Sequence, residues 1–228
     1  VDLHWARVQL SKATWMFLIT PLPNTFRCSP RQNPPSLSAL MLQDVGGEDR
    51  PLSDALLSHL DYLAPNESEL GRLTSLPTAT QAQALAAAAS LTARGARSVL
   101  VTLAERGALL VYRNGTALHQ PPVPVPGGTV VDGTAAGDAF RAAFAVGLAE
   151  GLHVQACLRL AAAAGAIAVS RVGAVPSLPR RQEVEQLSAG AAGPVVVDMA
   201  VVGTRREAQC RARQQTAPTC TNAGAGSK

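Results

Sequence analysis

A turn of small residues followed by an acidic residue is the segment of this sequence best suited to chemistry. Residues 133–137 are small, and Asp138 follows them at the start of a predicted helix in which Phe140, Phe144 and Leu148 recur every four residues. The first N–H groups of a helix lack intrahelical partners and carry partial positive charge, so the turn predicts an anion site. A carboxylate beside a bound phosphate suits a general base that accepts a proton from an attacking hydroxyl.

The same residues also have a purely structural interpretation. Asp138 would interact favourably with the helix dipole, and the small residues would permit close packing. No Gly-Lys-Ser/Thr sequence follows the turn, which excludes a Walker-type phosphate loop. Spacing alone leaves both interpretations of Asp138 open.

Helices and strands are predicted to alternate around this turn. Strands separated by helices predict a mostly parallel α/β sheet with helices on its faces. Helices are predicted at 51–60, 67–73, 80–94, 136–150 and 154–170, strands at 39–42, 61–64, 98–103 and 129–132, and a hairpin at 108–120 that turns at 113–115.

The two ends of the chain differ from this middle part in composition. Residues 1–39 contain five prolines and no sustained period, and residues 189–228 are rich in Gly, Ala, Arg and Thr. We therefore expect an irregular leader at 1–39, an ordered part at 40–188 and a disordered basic tail at 189–228, with a short strand allowed within 194–202. The net charge of +4 is concentrated in the ends, so it does not indicate nucleic-acid binding by the middle.

The cysteines and the hydropathy of the chain indicate in which compartment of the cell the protein is expected. The four cysteines have no metal-binding spacing and are too few for a disulfide scaffold, which favours a reducing compartment. No apolar run reaches the roughly 18 residues of a membrane span. The apolar run at 13–22 resembles part of a signal peptide but lacks a small-residue cleavage site. We expect no membrane association, no convincing targeting segment, and a cytoplasmic or plastid location.

Four motifs, in the same order along the chain, resemble the ribokinase (PfkB-type) carbohydrate kinase family. Residues 130–140 (VVDGTAAGDAF) resemble its Asp-Thr-Thr-(Gly/Ala)-Ala-Gly-Asp signature, and residues 65–69 (PNESE) resemble its Asn-x-x-Glu element. Residues 102–107 (TLAERG) resemble its Thr-Leu-Gly-x-x-Gly nucleotide segment, and residues 171–179 resemble the segment after its last long helix. The similarity covers roughly 40–188 and is greatest to plant ribokinase-like proteins.

The resemblance implies a fold, a reaction and a set of partners. The fold is a three-layer, ribokinase-like (Rossmann-type) α/β sheet, and its N-terminal half and β lid are not recognised in this chain. The reaction is ATP-dependent phosphorylation of a sugar hydroxymethyl, with ribose the leading substrate and Mg²⁺ and K⁺ as cofactors. ATP and a small sugar are the expected partners, whereas nucleic acid and membrane are not. A homodimer is compatible with the resemblance for full-length relatives. Because half of the fold is not recognised, the alternative is an inactive remnant that binds nucleotide or a partner chain.

The resemblance also implies roles for individual residues. Asp138 is the catalytic base and contacts the sugar hydroxymethyl, and the backbone of Ala135, Ala136 and Gly137 forms the anion hole. The ATP-binding residues are Asn66, Thr102, Leu103, Ala104, Glu105, Arg106, Gly107, Gly137 and Asp138. Mg²⁺ is held through water by Asn66 and Glu69, and a monovalent cation by Asp132, Thr134, Ala168, Arg171, Gly173 and Ser177.

Several of these positions have a second interpretation or depart from the family pattern. Asn66 and Glu69 also have the spacing of a helix capping box, and both roles can hold together. Ala104 and Ala135 stand where the family often has Gly, which permits closer backbone approach. Gly133 replaces the usual Thr of the signature.

Overall fold

The computed structural model describes residues 5–9, 15–19, 40–44 and 52–199, which contain eight strands and seven α-helices. The chain divides into two compact units after Val197, and the described strands and helices belong to the first of these units. The strands are β1 (Trp5–Gln9), β2 (Trp15–Ile19), β3 (Leu40–Asp44), β4 (Tyr62–Leu63), β5 (Ser98–Thr102), β6 (Ala108–Tyr112), β7 (Ala117–Gln120) and β8 (Val195–Val197). The helices are α1 (Asp54–His59), α2 (Glu67–Thr74), α3 (Gln81–Ala93), α4 (Ala136–Ala149), α5 (Val154–Ala168), α6 (Ala174–Ser177) and α7 (Arg181–Ala189).

The strands form one mixed sheet in which spatial order follows chain order from β1 to β8. Only β3–β4 and β4–β5 pair in parallel among the described strands, and helices connect both pairs. The other neighbours pair antiparallel. The prediction of a mostly parallel sheet is therefore wrong, because the short β5–β6 and β6–β7 connections can join only antiparallel neighbours.

Side-chain caps explain why two of the helices begin where the sequence predicts. Asn66 and Glu69 form a reciprocal capping box at the start of α2, and Thr80 and Gln83 form another at the start of α3. Helix α3 ends before Gly95, whose φ of +128° requires glycine's conformational freedom. The predicted helices at 67–73 and 80–94 are confirmed.

Helices cover the strands of the hairpin region on both faces. Leu100, Leu110 and Leu118 belong to one buried cluster with Phe144 and Leu158, which places α4 and α5 on that face. Helix α3 packs against β5 and β6, whose intervening residues point to the opposite face.

Helices α4 and α5 are closely packed because Gly147 of α4 has no side chain where the two helices meet. A Cβ atom added at Gly147 would lie 2.9 Å from Cys157 Sγ. Burial raises the pKa of the Cys157 thiol to about 11. This close contact packs α4 against α5, and α4 is the helix whose first turn contains Asp138.

Two predictions about local structure differ from what is observed. Strands β1 and β2 lie in the segment predicted to be irregular, and β2 falls in the apolar run at 13–22 whose sequence resembles part of a signal peptide. The rest of that segment, 1–4, 10–14 and 20–39, lies outside the described residues. The predicted strand at 129–132 is wrong. Val130 and Val131 are exposed, and the N–H groups of Val131 and Asp132 both donate to the Val169 carbonyl at the end of α5 instead of to a strand.

Predictions for the chain ends are tested only in part. Strand β8 lies within the segment 194–202 that the sequence allowed as a short strand. The rest of the predicted basic tail, 200–228, lies outside the described residues. Among the residues that the structure does describe, no helix is both long enough and apolar enough to cross a membrane.

Candidate functional site

The start of α4 has the form of an anion site with a carboxylate beside it. Helix α4 begins at Ala136, and no side chain accepts a hydrogen bond from its first turn at the Ala135 cap. Asp138 lies in that first turn, and its side chain is 67% exposed. The Asp138 carboxylate accepts a hydrogen bond from Arg141 Nη2 at 3.0 Å. The first-turn N–H groups and an accessible carboxylate therefore lie side by side at the start of α4.

Two alanines at family glycine positions have left-handed backbone conformations. Ala135 has a φ of +63°, and Ala104 has a φ of +49°. Alanine at such a φ is strained by about 1–2 kcal/mol relative to its usual conformation, whereas glycine is not. The family preference for glycine at these positions therefore has a conformational reason as well as the close-approach reason that the sequence suggested.

The predicted nucleotide segment is a tight turn between β5 and β6. Leu103 N–H donates to the Gly107 carbonyl at 2.8 Å, and a 3₁₀ turn spans Ala104–Arg106. Gly107 has φ +84° and ψ −131°, and a Cβ atom there would lie 2.1 Å from the Gln120 carbonyl oxygen. The turn therefore requires glycine at 107 on both conformational and steric grounds.

Strand pairing brings the Asn66 segment to the predicted nucleotide turn. Asn66 forms an isolated parallel bridge with Thr102, and Thr102 N–H donates to the Pro65 carbonyl at 3.2 Å. Asn66 Oδ1 accepts from Glu69 N–H at 2.9 Å, and Glu69 Oε2 accepts from Asn66 N–H at 2.8 Å. The structural role of the capping box is confirmed, and it fixes both side chains beside the turn.

The chemistry of this pair fits indirect binding of a hard cation. Asn66 and Glu69 offer amide and carboxylate oxygens, which are the ligand types that Mg²⁺ prefers, and Mg²⁺ usually keeps several of its waters. No group of three or more His, Cys, Asp or Glu side chains in the described part of the chain could hold a metal by itself. The residues present fit a cation held through water more closely than one enclosed by protein.

Asp132 joins the segment before α4 to the loop after α5. Its Oδ1 accepts from Thr134 N–H at 2.9 Å and from Thr134 Oγ1 at 2.6 Å, and its Oδ2 accepts from Gly173 N–H at 2.8 Å. These hydrogen bonds hold the pKa of the Asp132 carboxyl below its ordinary value, and the one from the Thr134 hydroxyl has the largest effect. Three residues of the predicted monovalent-cation set are thus brought together.

The other members of that set are placed differently. Ala168 contributes its carbonyl to Arg171 N–H at 3.2 Å, and the Arg171 guanidinium pairs with the Glu183 carboxylate on α7. Ser177 is fully buried, and its hydroxyl donates to the Ala174 carbonyl within α6. No described hydrogen bond links Arg171 or Ser177 to Asp132. A cavity of about 410 Å³ adjoins Arg171 between α5 and α7, but neither Asp138 nor Gly107 lines it.

We expect the link between Asp132 and Gly173 to stabilise the fold in a pH-dependent way. A carboxyl whose folded pKa is depressed adds stability above its unfolded pKa, near 3.8, and that stability is lost as pH falls through the folded pKa. Thermal unfolding of the wild type and of Asp132→Asn should differ most at neutral pH, and the two melting temperatures should converge as the pH falls through the depressed pKa of Asp132. A difference in melting temperature that does not change with pH would contradict this interpretation.

Three residues near these elements were missed by sequence reasoning. Glu67, in the first turn of α2, pairs with Arg106 of the nucleotide turn. His119 Nε2 lies 2.9 Å from the Arg106 carbonyl oxygen. Arg141 lies next to Asp138 and Gly137. The three-residue separation of Asp138 and Arg141 on one helix was the only local signal, since the other two contacts join residues distant in sequence.

The fold and the order of these segments define a class of protein. Residues 28–181 match the family model described as pfkB family carbohydrate kinase. The chain belongs to this family, and the predicted ribokinase-like α/β fold is confirmed.

Within the family, the similar curated proteins include ribokinases. Arabidopsis thaliana ribokinase is 44% identical over 147 residues, which are 64% of this chain and 38% of that protein. Bacillus subtilis ribokinase is 38% identical over 138 residues, or 60% of this chain and 43% of that protein. The chain therefore spans less than half the length of these relatives.

Solved structures of ribokinases and of a phosphofructokinase also match part of this chain. The structure of Arabidopsis thaliana ribokinase complexed with ribose and ATP matches with a TM-score of 0.61, over 64% of this chain and 46% of that one, at 44% identity. Ribokinase from Thermotoga maritima matches with a TM-score of 0.54 over 61% of this chain and 46% of that one, at 37% identity. Phosphofructokinase-2 from Escherichia coli in complex with potassium matches with a TM-score of 0.52 over 60% of this chain and 43% of that one, at 26% identity.

Proposed function

We propose that this chain carries the nucleotide-binding and catalytic part of a kinase that transfers the γ-phosphoryl group of ATP to the hydroxymethyl of ribose. The observation that supports this most is the accessible Asp138 carboxylate in the first turn of the uncapped helix α4. The similar ribokinase structure that is complexed with ribose and ATP supports the choice of substrates.

Asp138 is the general base of the proposed reaction. It accepts the proton of the sugar hydroxyl, whose oxygen forms a bond to the γ-phosphorus while the bond between that phosphorus and the bridging oxygen of ADP breaks. The backbone around Ala135, Ala136 and Gly137 stabilises the charge on the transferring phosphoryl group. Proton transfer and charge stabilisation thus come from one helix terminus.

The nucleotide lies against the turn at 102–107 in this proposal. Asn66 and Glu69 would hold Mg²⁺ through water, and that ion would neutralise phosphate charge. Oxygens of the loop tied together by Asp132, Thr134 and Gly173 would hold K⁺, together with those of Ala168, Arg171 and Ser177. The potassium complex of the similar phosphofructokinase-2 supports a monovalent cation in the family.

A binding titration and a turnover assay test the proposal. We expect calorimetry to detect weak Mg-ATP binding by the 228-residue chain, because the turn at 102–107 and the start of α4 are both present. We expect ADP release to depend on ribose but to be slow, since the matched segment is less than half of a ribokinase and a misplaced sugar costs orders of magnitude in rate.

The outcomes separate the proposal from its alternative. Rapid ribose-dependent ADP release would show that the retained segment suffices for sugar binding. Mg-ATP binding with equal ADP release for ribose and for no sugar would favour a nucleotide-binding remnant. The absence of Mg-ATP binding in a folded sample would overturn the proposal.

A further inference from the structure

A largely buried arginine side chain lies next to the proposed catalytic carboxylate. The Arg141 side chain is only 11% exposed, whereas the side chain of Asp138, its ion-pair partner, is 67% exposed. The arginine is therefore the anchored member of the pair, and the aspartate is the member that faces solvent. In an ordinary surface ion pair both side chains would be free to move.

The Arg141 guanidinium contacts three parts of the proposed site. Its Nη2 donates to Asp138 Oδ1 at 3.0 Å, and its Nη1 lies 3.5 Å from the Ala64 carbonyl oxygen, two residues before Asn66. A Cβ atom added at Gly137 would lie 3.3 Å from Nη2 and 3.6 Å from Cζ. The guanidinium therefore rests against the first turn of α4 and reaches across to the end of β4.

Fold stability alone is a weak explanation for this arrangement. Removing an arginine from water is costly, and an apolar side chain of similar length would fill the same space at lower cost. A planar group with several donors in fixed directions can, however, hold a carboxylate and a carbonyl at the same time. The arrangement is suited to fixing geometry between two segments.

We propose that Arg141 is a positioning residue, which orients the Asp138 carboxylate and holds the start of α4 in register with the Asn66 segment. This inference rests on the proposed function, because the benefit of the geometry is the alignment of a general base with a bound nucleotide. Arg141 acts through Asp138 and need not touch either substrate.

The chain contains a matched control for this pair. Arg94 donates to the Asp54 carboxylate at 3.0 Å, and Asp54 is also 67% exposed in the first turn of a helix. Arg94 additionally donates to the Leu52 carbonyl, as Arg141 does to that of Ala64. Arg94→Met therefore removes the same kinds of contact at a distance from the proposed site.

Kinetic comparison of Arg141→Met, Arg141→Lys and Arg94→Met tests the role in the 228-residue chain. We expect Arg141→Met to lower kcat about tenfold and to leave KM for Mg-ATP within about threefold, since a displaced base affects the chemical step more than nucleotide binding. Arg141→Lys should recover part of the loss, and Arg94→Met should change neither constant. In the Asp138→Asn background, Arg141→Met should cause no further loss.

Amide hydrogen exchange gives a second readout that needs no turnover. Thr102 N–H donates to the Pro65 carbonyl, next to the Ala64 carbonyl that Arg141 holds. We expect its exchange to be about fivefold faster in Arg141→Met and unchanged in Arg94→Met.

The possible results separate this inference from the proposed function. Equal kinetic losses in Arg94→Met and Arg141→Met, or additive losses with Asp138→Asn, would overturn the positioning role. If the wild-type chain shows no turnover, the proposed activity fails for this chain and the exchange experiment decides. Unchanged Thr102 exchange in Arg141→Met would then overturn the inference.

Discussion

Replacing Asp138 with Asn is expected to lower ribose-dependent ADP release by about 10²–10⁴-fold, while Mg-ATP affinity stays within about threefold. Asparagine keeps the size of the side chain but cannot accept the proton of the sugar hydroxyl. The proposed base acts on the sugar hydroxyl, and most of the predicted ATP-binding residues are unchanged in this variant, so the affinity for Mg-ATP should change little. Turnover is best measured on the matching substitution in a full-length relative with the same Ala-Ala-Gly-Asp sequence, and Mg-ATP affinity in this chain.

Asp54→Asn is a stringent control for this substitution. Asp54 and Asp138 both lie in the first turn of a helix, are equally exposed, and pair with an arginine at 3.0 Å. Loss of charge at a helix start and loss of an ion pair are therefore common to both variants. If Asp54→Asn lowered turnover as much as Asp138→Asn, general destabilisation and not loss of the base would be the cause.

Gly107→Ala is expected to have the largest effect on stability. A Cβ atom at Gly107 would lie 2.1 Å from the Gln120 carbonyl oxygen and 2.9 Å from the Pro121 carbonyl carbon, so β7 would have to move. The conformational strain of alanine at this φ and ψ, about 1–3 kcal/mol, adds to an overpacking cost of about 1–3 kcal/mol. Thermal or denaturant unfolding, followed by circular dichroism, measures the loss, and Mg-ATP affinity should fall with it.

Gly115 provides a control for the steric part of this cost, since it is also a glycine with a positive φ, +84°. It lies at the tip of the β6–β7 hairpin, and a Cβ atom there meets nothing within 4 Å. Gly115→Ala should therefore cost only the conformational strain, about 1–2 kcal/mol. Equal destabilisation by the two substitutions would show that the collision with β7 is relieved without cost.

Local signals made much of the site predictable from the sequence. The spacing of Asn66 and Glu69 predicts a helix start, and the small residues before Asp138 predict an anion site; that Asn66 and Glu69 are also a ligand pair is implied only by the family resemblance. The structure places these segments as the motif order implied, and strand pairing brings Asn66 next to Thr102. Such features depend on residues within a few positions of one another, which a single sequence displays directly.

Features that depend on tertiary contacts were not predictable. Arg141 has the sequence context of an ordinary helix-surface residue, and its guanidinium contacts the carbonyl of Ala64, 77 positions away. Val130 and Val131 have strand-forming side chains, yet their N–H groups do not pair with a neighbouring strand. The left-handed conformation of Ala104 was hidden because alanine does not favour it.

Strand β5 has a consequence for how this part of the fold tolerates insertions and deletions. Its first four residues are buried, on both faces, so hydrophobic alternation cannot set its register. Its alignment depends instead on the number of residues in the turn between Leu103 and Gly107, which fixes Thr102 opposite Ala108. A one-residue change in that turn would shift β5 against β6 and reverse side-chain directions relative to its partner, whereas the exposed tip at Gly115 can absorb added length. Length variation among natural homologues should therefore accumulate at the hairpin tip and be excluded from the turn between Leu103 and Gly107.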